Sequence, residues 1–315
     1  MSQYIFRRIV LLVPTLLVLS VFVFGMVRFV PGDVLTILLA EQKLAATDRQ
    51  HLAKQLGLDK PIPIQYAQWV GGATHGDLGR SLFTGHPVRD DIFEKFLVTM
   101  RLAILAVLIS LCLAIPIGVL SAVSQDSLLD YLSRSFAVFG LSMPVFWVAT
   151  MVVVYGSILW RYSPPLRYTG FSDDPIQSIQ ELLLPALVLG LAFSAGLVRM
   201  IRTMLLEVLR QDFIRTARAK GLRGRAVIMR HALRNALVPV VTVFGLQVAG
   251  LLGGTVITES VFNIPGSGRL LVSAVTLRDY PVIQGIALFQ CLIVLTINLI
   301  VDLSYGVLDP RIRFA

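Results

Sequence analysis

The side chains most able to bind a partner lie in a strongly basic stretch, residues 204–236, which we call the basic segment. It carries eight Lys/Arg against two acids. Arginine stays charged in proteins, so Arg215, Arg218 and Arg225 keep this part of the chain out of any hydrocarbon environment. A segment of this kind either holds one face of a membrane protein in the cytoplasm or docks onto a soluble partner.

The order of residues within the basic segment separates these two roles. Two short helical patterns meet at Gly221 and Gly224, where a helix can end and the chain can turn. A charge anchor needs only a few Lys/Arg and no such helix–Gly–helix pattern. The pattern therefore favours docking onto a soluble partner over simple anchoring.

Motifs for catalysis, metal binding and nucleotide binding are absent from the sequence. Cys112 and Cys291 lie inside apolar runs, and the four histidines have no metal-ligand spacing such as HExxH. There is no GxxxxGK(S/T) loop, and the nearest glycine-rich stretch, Pro265–Leu271, lacks the terminal Gly-Lys. Because no nucleophile, base or set of metal ligands converges, we expect neither enzyme activity nor a cofactor in this chain.

The elements that must position the basic segment are long apolar helices. Of the 315 residues, 56% are hydrophobic and 15% are charged, and the mean hydropathy is +0.77. This composition excludes a soluble domain. The net charge of +9 lies beside apolar runs, so it reflects the positive-inside bias of membrane proteins rather than nucleic-acid binding.

Six apolar runs are long enough to cross a hydrocarbon core of about 30 Å, which takes roughly 20 helical residues. They are Ile9–Val27, Leu102–Val123, Phe136–Trp160, Leu182–Val198, Leu237–Ile257 and Pro281–Val301. The sequence therefore predicts an all-α membrane protein with six transmembrane helices. None of the runs contains Asp, Glu, Lys, Arg or His, so we expect no titratable group of the kind that a proton-coupled carrier needs inside its bundle.

Loop charges predict the orientation of these helices. The amino terminus, the basic segment and the carboxyl-terminal tail are basic, whereas the other loops are balanced or acidic. Both termini and the basic segment are therefore expected in the cytoplasm. The predicted domains are an N-terminal transmembrane anchor helix (1–27), an external loop with short helices (28–96), a core of five transmembrane helices that includes the basic segment (97–305) and a cytoplasmic tail (306–315).

Uncharged polar side chains occur inside the fifth and sixth apolar runs. Gln284, Gln290 and Asn298 lie near one stripe of the sixth helix, and Gln247 and Thr255 lie on the fifth. They are candidates for a neutral translocation path. Hydrogen bonding between helices is the alternative, and it is the commoner role of such groups in lipid.

Small residues form a ridge on the fifth helix at Gly245, Ala249 and Gly253, with Gly250 and Gly254 beside it. Small side chains let a second helix approach closely. The ridge is either a packing surface within the chain or a face for a second subunit, and the sequence leaves both open.

Recognisable blocks run through nearly the whole chain. The basic segment reads RTARAKGL and then RHALRNALVPVV. Further blocks are LGLDKPIPIQY (Leu56–Tyr66), GDLGRS (Gly76–Ser81), LSMPVFW (Leu141–Trp147), TESVFNIPGSGRLL (Thr258–Leu271), RDYPVIQG (Arg278–Gly285) and LDPRIR (Leu308–Arg313). Together they resemble ABC importer permeases of the dipeptide/oligopeptide/nickel branch. The long first external loop is similar to that of the first of the two paralogous permeases in such systems.

The resemblance implies a type I ABC importer-like permease bundle with a cytoplasmic coupling-helix loop. Such a chain pairs with a paralogous second permease, two cytoplasmic ABC ATPases and an external solute-binding protein in the cytoplasmic membrane of a bacterium or archaeon. The residues that would contact an ATPase are Arg215, Thr216, Ala217, Arg218, Ala219, Lys220, Gly221 and Leu222. The chain departs from the general permease motif at Arg215, which replaces an acid, and at His231 and Arg234, where Ile and Pro are common.

The mechanism that the resemblance implies is alternating access, in which closure of the ATPases moves the basic segment and opens the path outward. A self-sufficient passive channel or facilitator is the alternative, and a membrane enzyme or assembly scaffold is a third, for which the sequence supplies no chemistry. The substrate stays open among peptides, nickel chelates, glutathione-like molecules and oligosaccharides. The absence of His and carboxylates from the apolar runs argues against a bare metal ion.

Overall fold

The computed structural model describes residues 2–29 and 59–308, and the regular elements in these residues are helices. They are α1 (Ser2–Phe29), α2 (Ile62–Thr74), α3 (Val88–Val123), α4 (Leu128–Ser142), α5 (Val145–Trp160), α6 (Pro175–Leu209), α7 (Asp212–Ala219), α8 (Gly224–Val261), α9 (Ser267–Leu277) and α10 (Tyr280–Leu308). Residues 30–58 of the expected external loop and 309–315 of the expected tail lie outside the described residues. The predicted all-α membrane fold is confirmed.

Five helices are long and apolar enough to cross a membrane, namely α1, α3, α6, α8 and α10, and the pair α4–α5 makes a sixth crossing if it counts as one bent span. The helices extend beyond the predicted apolar runs: α6, for example, covers Pro175–Leu209 around the predicted Leu182–Val198. Hydropathy marks only the part of a helix that suits hydrocarbon, whereas backbone hydrogen bonding continues to the caps. Asp174 caps α6 by accepting hydrogen bonds at 3.0 Å from two backbone N–H groups of the first turn.

The third predicted span, Phe136–Trp160, is wrong as a single straight helix. α4 ends at Ser142 and α5 begins at Val145, with an angle of 96° between them. Pro144 stands at the break, where it has no N–H to continue the helical hydrogen bonds and disfavours helical geometry at the residue before it. Met143 is accordingly extended, with a ψ of 125°. The apolar run is continuous across the break, so hydropathy alone does not reveal it.

Within the basic segment, the chain leaves α6, forms the short helix α7, turns at Gly221 and enters α8. Gly221 has a φ of +77°, which glycine adopts without the steric penalty of a Cβ atom. α8 begins with one α-helical turn at Gly224, continues as a π-helical stretch over Val227–Ala232 and becomes an ordinary α-helix from Leu233. The expected helix–Gly–helix pattern is therefore present, and the π-helical stretch is an addition that the sequence did not predict.

The described chain divides into two compact units. The first takes in the described residues up to Val98 together with Pro265–Thr296, and the second takes in Thr99–Ile264 together with the described residues from Ile297 onward. In the first unit, α1, α3, α9 and α10 meet in a buried apolar cluster: Val27, Val88, Ile92, Ala274, Val282, Ile283 and Ile286. In the second unit, α3, α4, α6 and α8 meet in another: Ala114, Ala137, Leu197, Val198, Ile201 and Val240.

Two buried acids lie in the helices outside the predicted apolar runs. Asp130 on α4 and Glu259 on α8 are both 0% exposed. Asp130 accepts hydrogen bonds from Arg202, and Glu259 accepts one from Thr99 Oγ1 at 2.6 Å. Both acids lie just beyond the ends of the predicted apolar runs, in helical extensions that hydropathy does not mark. The predicted runs contain no charged residue, but α4 and α8 each have a buried acid outside them.

Candidate functional site

Helix α7 is attached to the ends of three long helices by an apolar cluster. Ile214 is 0% exposed and Ala217 is 8% exposed, and their i, i+3 spacing puts both on one face of α7. They pack with Ala122 of α3, Leu205 of α6, and Val227, Ala232 and Ala236 of α8. Close packing of these side chains attaches α7 to the ends of α3, α6 and α8.

The rest of α7 and the turn after it are exposed and basic. Of the eight residues predicted to contact an ATPase, Ala217 is buried and the other seven are exposed: Arg215, Thr216, Arg218, Ala219, Lys220, Gly221 and Leu222. Phe213 is 45% exposed and Leu222 is 42% exposed, so both add apolar side chains to the basic surface. The predicted contact residues, 215–222, leave out Phe213 and the buried Ile214, which belong to α7 because this helix begins at Asp212. The i, i+3 spacing of Ile214 and Ala217 is the signal that could have found the attachment.

A buried ion pair joins Arg202 of α6 to Asp130 of α4. Arg202 lies one turn before Leu205, which belongs to the apolar cluster. Arg202 donates from Nε to Asp130 Oδ1 at 2.7 Å and from Nη2 to Asp130 Oδ2 at 2.8 Å. Ser121 of α3 donates to the same carboxylate at 2.6 Å, and Arg134 of α4 lies 3.4 Å from it. Bidentate pairing of this kind fixes orientation as well as distance, so it ties α3, α4 and α6 together next to the attachment of α7.

The candidate path residues divide between the two units. Gln284 and Gln290 belong to the first unit, whereas Gln247, Thr255 and Asn298 belong to the second. Thr255 is 0% exposed and donates its hydroxyl to a carbonyl of its own helix at 2.8 Å. In contrast, Gln247 Oε1, Asn298 Oδ1 and Gln284 Nε2 are buried without a hydrogen-bond partner among the described residues. Buried polar atoms are normally paired, so these three have hydrogen-bonding capacity left for another molecule.

Gly245 and Gly253 have different surroundings, although the sequence puts them on one ridge of α8. A Cβ atom at Gly245 would lie 2.0 Å from Val301 Cγ2, so α10 approaches α8 too closely there for any other residue. A Cβ atom at Gly250 or Gly253 would meet no atom of the described chain within 4 Å. Packing within the chain therefore accounts for Gly245, and the ridge is open at Gly250 and Gly253.

A polar network, which we call the Ser81–Asp279 network, holds the chain before α3 against the start of α10. Asp279 is 4% exposed and accepts hydrogen bonds from Ser81 Oγ at 2.5 Å and from Leu82 N at 3.2 Å. It also accepts one from the backbone N–H of Val282 in the first turn of α10. Burial raises the pKa of the Asp279 carboxyl above its ordinary value, and these hydrogen bonds oppose the increase. The network joins the GDLGRS and RDYPVIQG blocks, which are distant in the sequence.

Two family models match nearly the whole chain. The binding-protein-dependent transport system inner membrane component matches residues 114–314. The N-terminal part of the binding-protein-dependent transport system membrane component matches residues 1–103. The chain belongs to this family.

Relatives of similar length are permease subunits. The dipeptide transport system permease protein DppB of Escherichia coli (strain K12) is 40% identical to this chain over 338 residues, which cover 99% of each protein. The di/tripeptide transport system permease protein DppB of Pseudomonas aeruginosa (strain UCBPP-PA14) is 38% identical over 333 residues, again covering 99% of each. The chain is therefore the permease component of an ABC importer, as its sequence predicts.

Solved structures show the same fold. The methionine ABC transporter MetNI in an inward-facing conformation matches with a TM-score of 0.54 at 15% identity, covering 68% of this chain and 94% of the other. A crystal structure of an amino acid ABC transporter with histidines matches with a TM-score of 0.54 at 17% identity, covering 68% and 92%. The shared architecture is that of an ABC importer permease, and it confirms the predicted fold class.

Proposed function

We propose that this permease imports short peptides as part of an ATP-driven importer. Its partners are a paralogous second permease, two cytoplasmic ABC ATPases that hydrolyse the ATP, and an external solute-binding protein. The support for a peptide substrate is the nearly full-length similarity to relatives named as dipeptide and di/tripeptide permeases. The basic loop charges support an orientation in the cytoplasmic membrane with both termini inside the cell.

The observation that carries this proposal is the two-sided construction of α7. One face is buried against α3, α6 and α8 through Ile214 and Ala217. The exposed side presents Arg215 and Arg218 with the half-exposed ring of Phe213. A part that passes force between two proteins needs both features, namely a surface for the partner and a rigid attachment to its own bundle. A basic surface with an apolar side chain suits an acidic groove on the ATPase that contains an apolar recess.

In the proposed mechanism, ATP-driven closure of the ATPase pair displaces α7. The apolar cluster passes the displacement to the ends of α3, α6 and α8, and the Asp130–Arg202 pair carries α4 along with α6. Helices that move as a group change which side of the bundle is open, which is alternating access. ATP binding and hydrolysis bias the two states because the ATPases contact α7 differently in each.

The remaining assignments describe how the chain is organised for transport. The anchor helix (1–27), the external loop (28–96), the core (97–305) and the cytoplasmic tail (306–315) are proposed as its functional parts. Within the core, Gln247, Gln284 and Asn298 are the best supported path residues, because each has a buried polar atom without a partner among the described residues. Thr255 and Gln290 complete the proposed path.

A self-sufficient passive channel is the second candidate, and the unpaired atoms of Gln247 and Asn298 favour it because polar groups inside a bundle also suit a water-filled pore. The channel predicts downhill flux through the purified chain in liposomes without nucleotide. The importer predicts uptake only when the ATPases and ATP are present. Flux measured with and without the ATPases separates the two.

Gly221→Pro tests the role of α7, and Gly224→Pro in the same segment is its matched control. Gly221 has a φ of +77° and donates its N–H to Arg218 O at 2.9 Å, and proline can supply neither. Gly224 begins α8 after an extended residue, a position where proline is well tolerated. We expect Gly221→Pro to abolish ATP-dependent peptide uptake and co-purification of the ATPase, and Gly224→Pro to retain both. Uptake and stimulated ATP hydrolysis that survive Gly221→Pro would contradict the proposal.

A further inference from the structure

A cavity in the first unit has the composition of a small-molecule site. Its volume is about 480 Å³, which lies within the range of roughly 300–1,000 Å³ that is typical of ligand pockets. The residues around it come from the end of α1, from α2, from the loop before α3 and from the first turns of α10. They include Phe24, Arg28, Trp69, Asp77, Arg80 and Gln284.

Three residues that line this cavity each have a buried nitrogen atom without a hydrogen-bond acceptor among the described residues. These atoms are Arg28 Nε, Trp69 Nε1 and Gln284 Nε2. Gln284 as a whole is only 5% exposed, so bulk solvent does not surround its amide. A buried donor without an acceptor destabilises a protein. Three such residues line this one cavity, so a bound molecule toward which their side chains turn would supply the missing acceptors.

The charges and the walls of the cavity narrow the choice of ligand. Arg28 donates from Nη2 to Gln65 Oε1, and its guanidinium lies 5.0 Å from the centre of the Phe24 ring, so it is held in place. Arg80 adds a second cation, and it donates to a backbone carbonyl at 3.0 Å. Asp77 is the one acid around the cavity within the described residues. The excess of cations and unpaired donors favours an anionic group with several acceptor oxygens.

Aromatic side chains form the apolar part of the wall. The rings of Phe24 and Trp69 lie 5.8 Å apart between centroids, and Tyr280 and Pro281 contribute from the start of α10. In a ligand that carries an anionic group, the apolar part would lie against these rings. Asp77, whose Oδ1 accepts a hydrogen bond from Gly79 N at 2.9 Å, suits a positive group at the other end of such a molecule.

We propose that this cavity binds the terminal carboxylate of a short peptide, with Arg28, Trp69 and Gln284 as the donors. The inference rests on the proposed peptide function, since it names the group of the substrate that this chain recognises. The two oxygens of a carboxylate offer about four acceptor sites, enough for the three donors. The phosphate of an anionic lipid has the same acceptor chemistry, so the test below separates the two sources.

The test measures peptide binding to the full-length chain, with the subunits that co-purify with it, in phosphatidylcholine nanodiscs. Dialanine and dialanine amide are the probes, and isothermal titration calorimetry gives the Kd. The amide lacks the negative charge, and charge-assisted hydrogen bonds are worth about 1.5–3 kcal/mol. We therefore expect the Kd of the amide to be roughly tenfold to hundredfold higher than that of dialanine.

Two variants and two matched controls test the assigned donors. Gln284→Leu removes the amide, and Trp69→Phe removes the indole N–H while keeping an aromatic ring. Each is expected to raise the Kd for dialanine about tenfold, as loss of one such hydrogen bond predicts. Thr296→Val on the same helix as Gln284, and Trp160→Phe on α5, lie outside the cavity and are expected to leave the Kd unchanged. Equal Kd values for dialanine and its amide, or unchanged binding in both variants, would overturn the inference.

The lipid source and the proposed function have separate readouts. Phosphatidylglycerol retained by the wild-type chain but lost from Gln284→Leu, without dialanine binding, would overturn the peptide assignment in favour of a lipid phosphate. ATP-dependent peptide uptake that is unaffected by Gln284→Leu and Trp69→Phe would leave the importer proposal intact and refute this site. Carboxylate-dependent binding without any ATP-dependent peptide uptake would support the site and refute the importer proposal.

Discussion

The basic segment and the Ser81–Asp279 network both hold a short stretch of chain against the ends of long helices, but by different forces. Around Ile214 the attachment is apolar, and the charged side chains of α7 are left exposed. Around Asp279 the attachment is polar, with one carboxylate that accepts three hydrogen bonds. Apolar packing fixes distance without demanding a single orientation, whereas hydrogen bonds to one carboxylate fix direction as well.

This difference suits what each stretch does in the proposed importer. An attachment that transmits displacement has to stay in contact while the helices shift, and apolar side chains can keep their contacts through small movements. The chain before α3 has to keep one shape beside the cavity, and directional bonds to Asp279 give it that shape. Four substitutions test this comparison.

The largest effect is expected from Asp130→Ala. This substitution breaks the buried Asp130–Arg202 pair, which lies next to the apolar attachment of α7. Asp130 is 0% exposed and the Arg202 side chain is 17% exposed, so the substitution leaves a mostly buried guanidinium without its carboxylate. Breaking a buried pair in this way costs about 3–5 kcal/mol. Thermal unfolding of the purified protein measures it. The double variant Asp130→Ala/Arg202→Met is expected to be more stable than Asp130→Ala alone, and the opposite order would contradict the assignment of the pair.

Ile214→Ala tests whether apolar packing transmits movement. Removing a buried side chain of this size destabilises a protein by about 2–5 kcal/mol, depending on how far the site collapses. If the cluster passes displacement from α7 to the bundle, the number of peptides transported per ATP hydrolysed falls more than ATP hydrolysis itself. Reconstituted proteoliposomes measure both quantities. An unchanged ratio would show that coupling does not pass through Ile214.

Asp279→Asn tests the polar attachment through its pH dependence. The pKa of Asp279 is raised in the folded protein above its ordinary value of 3.8. Between these two values the folded protein holds a proton that the unfolded chain has lost, so the free energy of unfolding falls as the pH rises through this window. The slope is at most about 1.4 kcal/mol per pH unit. Melting curves at several pH values are expected to show a smaller slope for Asp279→Asn, and identical slopes would argue against the buried carboxylate.

The smallest effect is expected from Asp212→Ala, which removes an ion pair at the start of α7. Arg215 and Asp212 are 3.1 Å apart, and their side chains are 74% and 93% exposed. Exposed pairs of this kind contribute little because water and salt screen them. No measurable change in melting temperature is expected. A clear decrease would mean that surface charge, and not Ile214, stabilises the attachment of α7.

Sequence information was sufficient for the fold because long apolar runs determine which helices cross a membrane. It was insufficient for the bend at Pro144, where apolar residues continue on both sides and only the proline signals a break. It also missed the Asp130–Arg202 pair, since 72 positions separate the two residues and no local pattern links them. The exposed residues of the basic segment were predictable from charge, whereas the cavity near Gln284 depends on four separate stretches of chain that only the folded structure brings together.

The π-helical stretch Val227–Ala232 has a consequence for everything that follows it in α8. A π turn accommodates one residue more than an α turn, and each residue of an α-helix rotates the next by about 100°. If the six residues of this stretch wound as a regular α-helix instead, the rest of α8 would rotate by about that angle. Gln247 would then face a different neighbour, and Gly245 would no longer face Val301. The phase of this whole transmembrane helix is thus set by one extra residue beside the attachment of α7.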